Sequence, residues 1–123
     1  MNTCARKVAV TGYCWGGTIA WLAATRLKPD AVSAYYGGGI SNYNFGDASI
    51  ATLTLTNSTL SGNAAYSGGG IFNNGHLIVT NSTFTGNSAA GAGGGIISVN
   101  GTLTVTHSTF TGNSANITGG GIY

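Results

Sequence analysis

The chain has 123 residues, a formal net charge of +2 and only 5% charged side chains. Its four basic residues, Arg6, Lys7, Arg26 and Lys28, all fall in the first 28 positions, and residues 48–123 contain no Asp, Glu, Lys or Arg. So small and localised a basic charge excludes the footprint of a nucleic-acid-binding domain, and no apolar run approaches the ~20 residues of a membrane-spanning helix. No signal peptide is visible either, because the apolar stretch after Arg6-Lys7 breaks at Gly12 and again at Gly16-Gly17.

The first predicted element is a short buried strand over 7–11 (Lys-Val-Ala-Val-Thr). A helix follows from about Gly17 to Lys28, where Ile19, Leu22, Ala23 and Leu27 recur at helical spacing and Pro29 ends the run. A second strand is predicted over 31–36, so residues 1–36 read as one β-α-β unit. Between its first strand and its helix lies Gly12-Tyr-Cys-Trp-Gly-Gly17, a turn whose glycines leave room for a strained residue at Cys14. Cys14 is the candidate nucleophile, because a helix N-terminus beside the sulfur favours the thiolate. The backbone N–H of Trp15 supplies one half of an oxyanion hole. A base and an acid must follow, and Asp47, His76 and His107 are the groups available. All three lie in or beside a repeat array, where they read more simply as repeat-loop residues, and that points away from catalytic turnover. Cys4 and Cys14 flank the first strand, and an extended chain at ~3.3 Å per residue holds them apart as free thiols.

From residue 37 the chain repeats. Gly-Gly-Gly-Ile starts at Gly37, Gly68, Gly93 and Gly119. Three near-copies run Leu53 to Asn63, Leu77 to Asn87 and Leu103 to Asn113. A period in the twenties with several short strand-like runs predicts one solenoid coil per repeat. Leu55, Val79 and Val105 are expected to stack inside, as are Leu60, Phe84 and Phe110, and Ile40, Ile71, Ile96 and Ile122. Thr54, Thr56, Thr104 and Thr106 face outward. Asn57 and Asn81 are expected to form an amide ladder that His107 interrupts, with a second ladder at Asn63, Asn87 and Asn113. Asn74-Gly75 and Asn100-Gly101 are expected at turns with positive φ. One aspartate cannot build a calcium array, so no metal and no cofactor is expected. A stack of about three coils leaves an open edge at its C-terminal side, which invites self-association. At the other end the helix over 17–28 is expected to cap the first coil, burying Ile19 and Leu22 against Ile40.

Residues 7–40, from Lys-Val-Ala-Val-Thr-Gly-Tyr-Cys-Trp-Gly-Gly through Pro29-Asp-Ala-Val-Ser-Ala-Tyr-Tyr-Gly-Gly-Gly-Ile40, resemble the dienelactone hydrolase family. The resemblance implies a Cys-His-Asp triad and hydrolysis of a small ester or lactone, and only Cys14 carries over to this chain. That family places several strands before its nucleophile, where this sequence has thirteen residues. Residues 37–123 resemble the polymorphic outer membrane protein and adhesin type of repeat, through its Gly-Gly-x-Ile block and the Phe-x-x-Asn blocks Phe84 to Asn87 and Phe110 to Asn113. The expected fold is therefore mainly β: a short right-handed parallel β-helix, residues 37–123, preceded by a β-α-β fragment of α/β-hydrolase type. The repeat resemblance implies a structural and adhesive scaffold at the cell surface or secreted, whereas the hydrolase resemblance implies a cytoplasmic enzyme, so the compartment stays open. Three functional readings follow. The first is a β-helix scaffold without turnover, the second a Cys14-dependent ester or lactone hydrolase. The third is a natural or artificial fusion with no evolved function, joined at the Gly37-Gly38-Gly39-Ile40 that both resemblances share.

Overall fold

The structure, a computed structural model, describes residues 9–13, 31–35, 39–43 and 51–123. The expected helix over 17–28 and its capping role lie outside the described residues, and every element described is a strand. Two strands come first, β1 (Ala9–Tyr13) and β2 (Ala31–Tyr35), paired in parallel. A first coil holds β3 (Ile40–Tyr43), β4 (Thr52–Thr56), β5 (Thr59–Ser61) and β6 (Ala64–Ala65). The second holds β7 (Ile71–Asn74), β8 (His76–Thr80), β9 (Thr83–Thr85) and β10 (Ser88–Ala89). The third holds β11 (Ile96–Ser98), β12 (Thr102–Thr106), β13 (Thr109–Thr111) and β14 (Ser114–Ala115). Each strand pairs in parallel with its counterpart one coil away, so three three-stranded sheets and one five-stranded sheet wrap a single core as a short parallel β-helix.

Alternation drives each strand. In Thr52-Leu-Thr-Leu-Thr56 the leucines are buried while Thr52 and Thr54 are exposed, the period of two that a strand with one wet face requires. The inward residues line up as expected: Leu55 on Val79, Leu60 on Phe84, and Ile40, Ile71 and Ile96 in one column, all buried. Phe84 and Phe110 stack with centroids 4.7 Å apart and planes 7° from parallel, which adds ~0.5–1.5 kcal/mol to the burial of the rings. Gly70 and Gly95 make that column possible. A Cβ at Gly70 would lie 2.9 Å from Phe84 Cδ1, and one at Gly95 3.0 Å from Phe110 Cδ1. Ile122 departs from its expected interior place: it forms a single bridge to Ile96 and is 43% exposed, since no described coil lies above it.

Polar ladders tie the coils together at three corners. Asn63 Nδ2 donates to Asn87 Oδ1 at 3.0 Å, and Asn87 Nδ2 donates to Asn113 Oδ1 at 2.9 Å, as the sequence leads one to expect. Two further columns were not expected. Asn42 Nδ2 donates to Asn73 Oδ1 at 2.8 Å and Asn73 Nδ2 to Ser98 Oγ at 2.9 Å. Ser58 and Ser82 donate their backbone N–H groups to Ser82 Oγ and Ser108 Oγ. Each serine of that column also donates its own hydroxyl to the carbonyl two residues back, as Ser82 does to Thr80. The ladder expected at Asn57 and Asn81 is not formed. Both are exposed and hold φ near +50°, as does His107, so the bend selects a residue that tolerates left-handed backbone. Of the two Asn-Gly pairs, only Asn100 has positive φ. It follows Val99, an extra residue in the third coil whose N–H donates to Asn73 O, and together they lengthen that corner by one.

One sheet crosses the boundary expected at residues 36–37. β2 pairs with β5 (Ser33 with Thr59, Ala34 with Leu60, Tyr35 with Ser61), giving the strand order β1-β2-β5-β9-β13. Strands of the hydrolase-like segment thus continue the stack of the repeats.

In urea titrations, Phe84→Ala is expected to lower stability by ~3–5 kcal/mol through the cavity it leaves. Asn87→Ala should cost ~2–4 kcal/mol because it orphans several buried groups at ~1–3 kcal/mol each. Thr104→Ala, on the exposed face, should stay within ~0.5 kcal/mol of the parent.

Candidate functional site

Cys14, Trp15 and Asp47 lie outside the described residues, so the geometry of a triad is read from the strand that leads to Cys14 and from the two histidines. β1 runs to Tyr13, two residues past the expected strand end at Thr11, so Gly12 and Tyr13 belong to the strand and Cys14 follows it directly. It forms one edge of the five-stranded sheet, while β13, the strand after His107, forms the other. Four strand spacings of ~4.8 Å put ~19 Å between those edges. His107 moreover precedes the start of β13, whereas Tyr13 closes β1, so the two also sit toward opposite ends of parallel strands. His76 opens β8, where it pairs with Thr102, and its Nδ1 shares a hydrogen bond with Thr102 Oγ1. His107 lies five residues beyond Thr102, or ~16 Å along the strand, and is exposed at its left-handed bend. No single nucleophile reaches both imidazoles. The structure thus does not bring the two histidines together, and each has a local reason to be where it is.

An open depression of about 380 Å³ lies beside the first coil, lined by residues that include Gly39, Ile40, Ser41, Ala65, Tyr66 and Phe72. Tyr66 stands 80% exposed at its rim. Among the described residues its lining holds no His, Cys, Asp, Glu or Lys, so they offer shape without a nucleophile or a carboxylate. Among the described residues no three His, Cys, Asp or Glu side chains lie close enough to hold a metal ion, and no helix is long and apolar enough to cross a membrane.

The stack instead offers hydroxyl-bearing sheet faces. Outward positions of β4, β8 and β12 form the rows Thr52-His76-Thr102, Thr54-Ile78-Thr104 and Thr56-Thr80-Thr106. Outward positions of β5, β9 and β13 form Thr59-Thr83-Thr109 and Ser61-Thr85-Thr111. The first face was partly anticipated from its threonines. The second was missed, although its signal stands in each near-copy as Thr-Leu-Ser or Thr-Phe-Thr with a buried residue between two hydroxyls.

Parallel coils joined by amide ladders and Gly-Gly-Gly-Ile blocks define the described part of the chain as a β-helix repeat protein in architecture, and residues 81–98 and 107–123 match the Chlamydia polymorphic membrane protein repeat. The family model of the dienelactone hydrolase family matches residues 1–68 of the 123, and the chain belongs to that family. Residues 51–68 of that match build part of the first coil of the stack. A curated Yersinia pestis protein provisionally named as a carboxymethylenebutenolidase is 54% identical over 33 residues, which is 26% of this chain and 12% of that protein. The chain thus spans only a small part of the curated relative it matches. No solved structure matches.

The bend at His107 gives a direct check on its role. His107→Asn, which installs the residue found at Asn57 and Asn81, should leave the thermal midpoint unchanged or raise it. His107→Val should lower stability by ~1–2 kcal/mol, because a β-branched residue resists positive φ.

Proposed function

We propose that the chain acts as a structural and adhesive β-helix scaffold without catalytic turnover, with residues 37–123 as the repeat unit and 1–36 as a hydrolase-derived segment at its base. One observation carries this reading: β2 of the hydrolase-like segment is paired in register with β5 of the first coil, so a continuous sheet runs from one segment into the other. The match to the Chlamydia polymorphic membrane protein repeat supports the repeat-scaffold part of the reading, and the adhesive part rests on the resemblance of the repeats to adhesin-type β-helices.

Family membership favours a second reading, hydrolysis of a small ester or lactone with Cys14 as nucleophile and the Trp15 N–H as oxyanion donor. Asp47 and either His76 or His107 would then supply acid and base. The wide spacing of the sheet edges and the commitment of His76 to Thr102 weigh against it. The shared Gly-Gly-Gly-Ile leaves a third reading, a fusion without an evolved function.

Hydrolysis of an activated phenyl ester by the parent chain and by Cys14→Ala separates these readings. Equal rates, near the uncatalysed background, are expected. A rate that drops roughly 100-fold or more in Cys14→Ala, the scale of a working nucleophile and base, would replace the scaffold reading with the hydrolase. Beads coated with either protein are expected to be retained equally on animal-cell monolayers. Retention no better than that of blank beads removes the adhesive part and leaves a structural scaffold.

A further inference from the structure

The outward face of β5, β9 and β13 is a two-by-three grid: Thr59, Thr83 and Thr109 in one row, Ser61, Thr85 and Thr111 in the other. Neighbours lie ~4.8 Å apart along the stack and ~6.6 Å apart along each strand. The register is unbroken, with Leu60, Phe84 and Phe110 pointing inward between the rows. None of the six hydroxyls has a hydrogen-bonding partner among the described residues. On the neighbouring face, by contrast, Thr80 bonds to Thr106 at 3.2 Å and Thr102 to His76, while Ile78 interrupts the middle row. Five of the six are threonines, whose branched Cβ restricts χ1, so methyls and hydroxyls are held in place before any ligand arrives.

The chemistry of this face narrows its ligand. Small molecules bind in concave sites, and no residue of this face lines the depression beside the first coil. Polyanions need basic residues, and residues 48–123 have none. Sugar rings stack on aromatic side chains, and the grid presents none. What remains is a ligand that is itself flat, uncharged, periodic and rich in hydrogen-bonding groups. Ordered water fits, since its oxygen repeats in crystalline ice are of the same order as the two spacings of the grid. Hydroxyls can take lattice positions while methyls sit between them, and first-shell water held this way bonds nearly as well as a direct partner. We propose that the face of β5, β9 and β13 binds the surface of ice.

The test is cryomicroscopy of single ice crystals grown in a solution of the full chain, reading crystal shape and the gap between melting and freezing temperatures. The parent should facet the crystals and open a measurable gap. Thr83→Lys at the centre of the grid and Thr109→Lys on its more exposed side should abolish both effects, with circular dichroism confirming an unchanged β signal. Thr104→Lys, on the neighbouring face, should leave them intact. Round crystals with no gap for the folded parent overturn the proposal, as does equal loss in Thr104→Lys and Thr83→Lys. Retention of the parent on microcrystalline cellulose without any effect on ice would overturn it in favour of a carbohydrate lattice.

Discussion

Stacking coils in register places each side chain about 4.8 Å from its own counterpart, and the rest of the molecule follows from that constraint. A residue type survives in a column only if it tolerates itself. Like charges at that separation repel by ~3–4 kcal/mol at an effective dielectric of ~20, and a three-coil column doubles the penalty. The absence of Asp, Glu, Lys and Arg from residues 48–123 agrees with that constraint, since no column there carries a repeated like charge. Apolar side chains meet the same demand by packing, as Leu60, Phe84 and Phe110 do, and hydroxyls meet it by staying neutral.

The primary amide is the one polar group that stacks on itself with a gain, because it offers donor and acceptor together. Asn63, Asn87 and Asn113 use both: Asn87 Oδ1 accepts from the Asn63 backbone and side chain, while its Nδ2 donates to Leu60 O and Asn113 Oδ1. Asn63 and Asn87 are almost wholly buried. Their ladders fix the rise and register that apolar columns alone would leave free to slide, because a slipped coil strands buried amides at ~1–3 kcal/mol each.

Much of this was legible in the sequence. The apolar columns and the Asn63 ladder could be read off because each recurs at one offset within the near-copies, and strand alternation fixed which side faces in. The Asn42–Asn73–Ser98 column escaped notice because its members are not identical and its first coil is out of phase with the others by several residues. At Asn57 and Asn81 the same residue type hid a different cause: backbone left-handedness, which a stacked pair of asparagines imitates in one dimension. His107 was the clue, since histidine also enters that backbone region but builds no amide ladder. The pairing of β2 with β5 was beyond reach, because the two strands lie on opposite sides of the boundary expected at residues 36–37. The candidate catalytic constellation was legible as types in an order, but which end of which strand each type occupies depends on a stack that one sequence does not display.

The corner between the Ile40–Ile71–Ile96 column and the Leu53–Leu77–Leu103 column has a different length in every coil: thirteen residues separate the paired positions in the first, six in the second and seven in the third. The columns on either side keep their register regardless. Coil perimeter is therefore decoupled from core geometry at this corner, where the lengths differ most, and it is the place where new sequence can be grafted. A peptide or a small domain inserted at Asn100, which is exposed at this corner, would be displayed while the paired columns on either side keep their register.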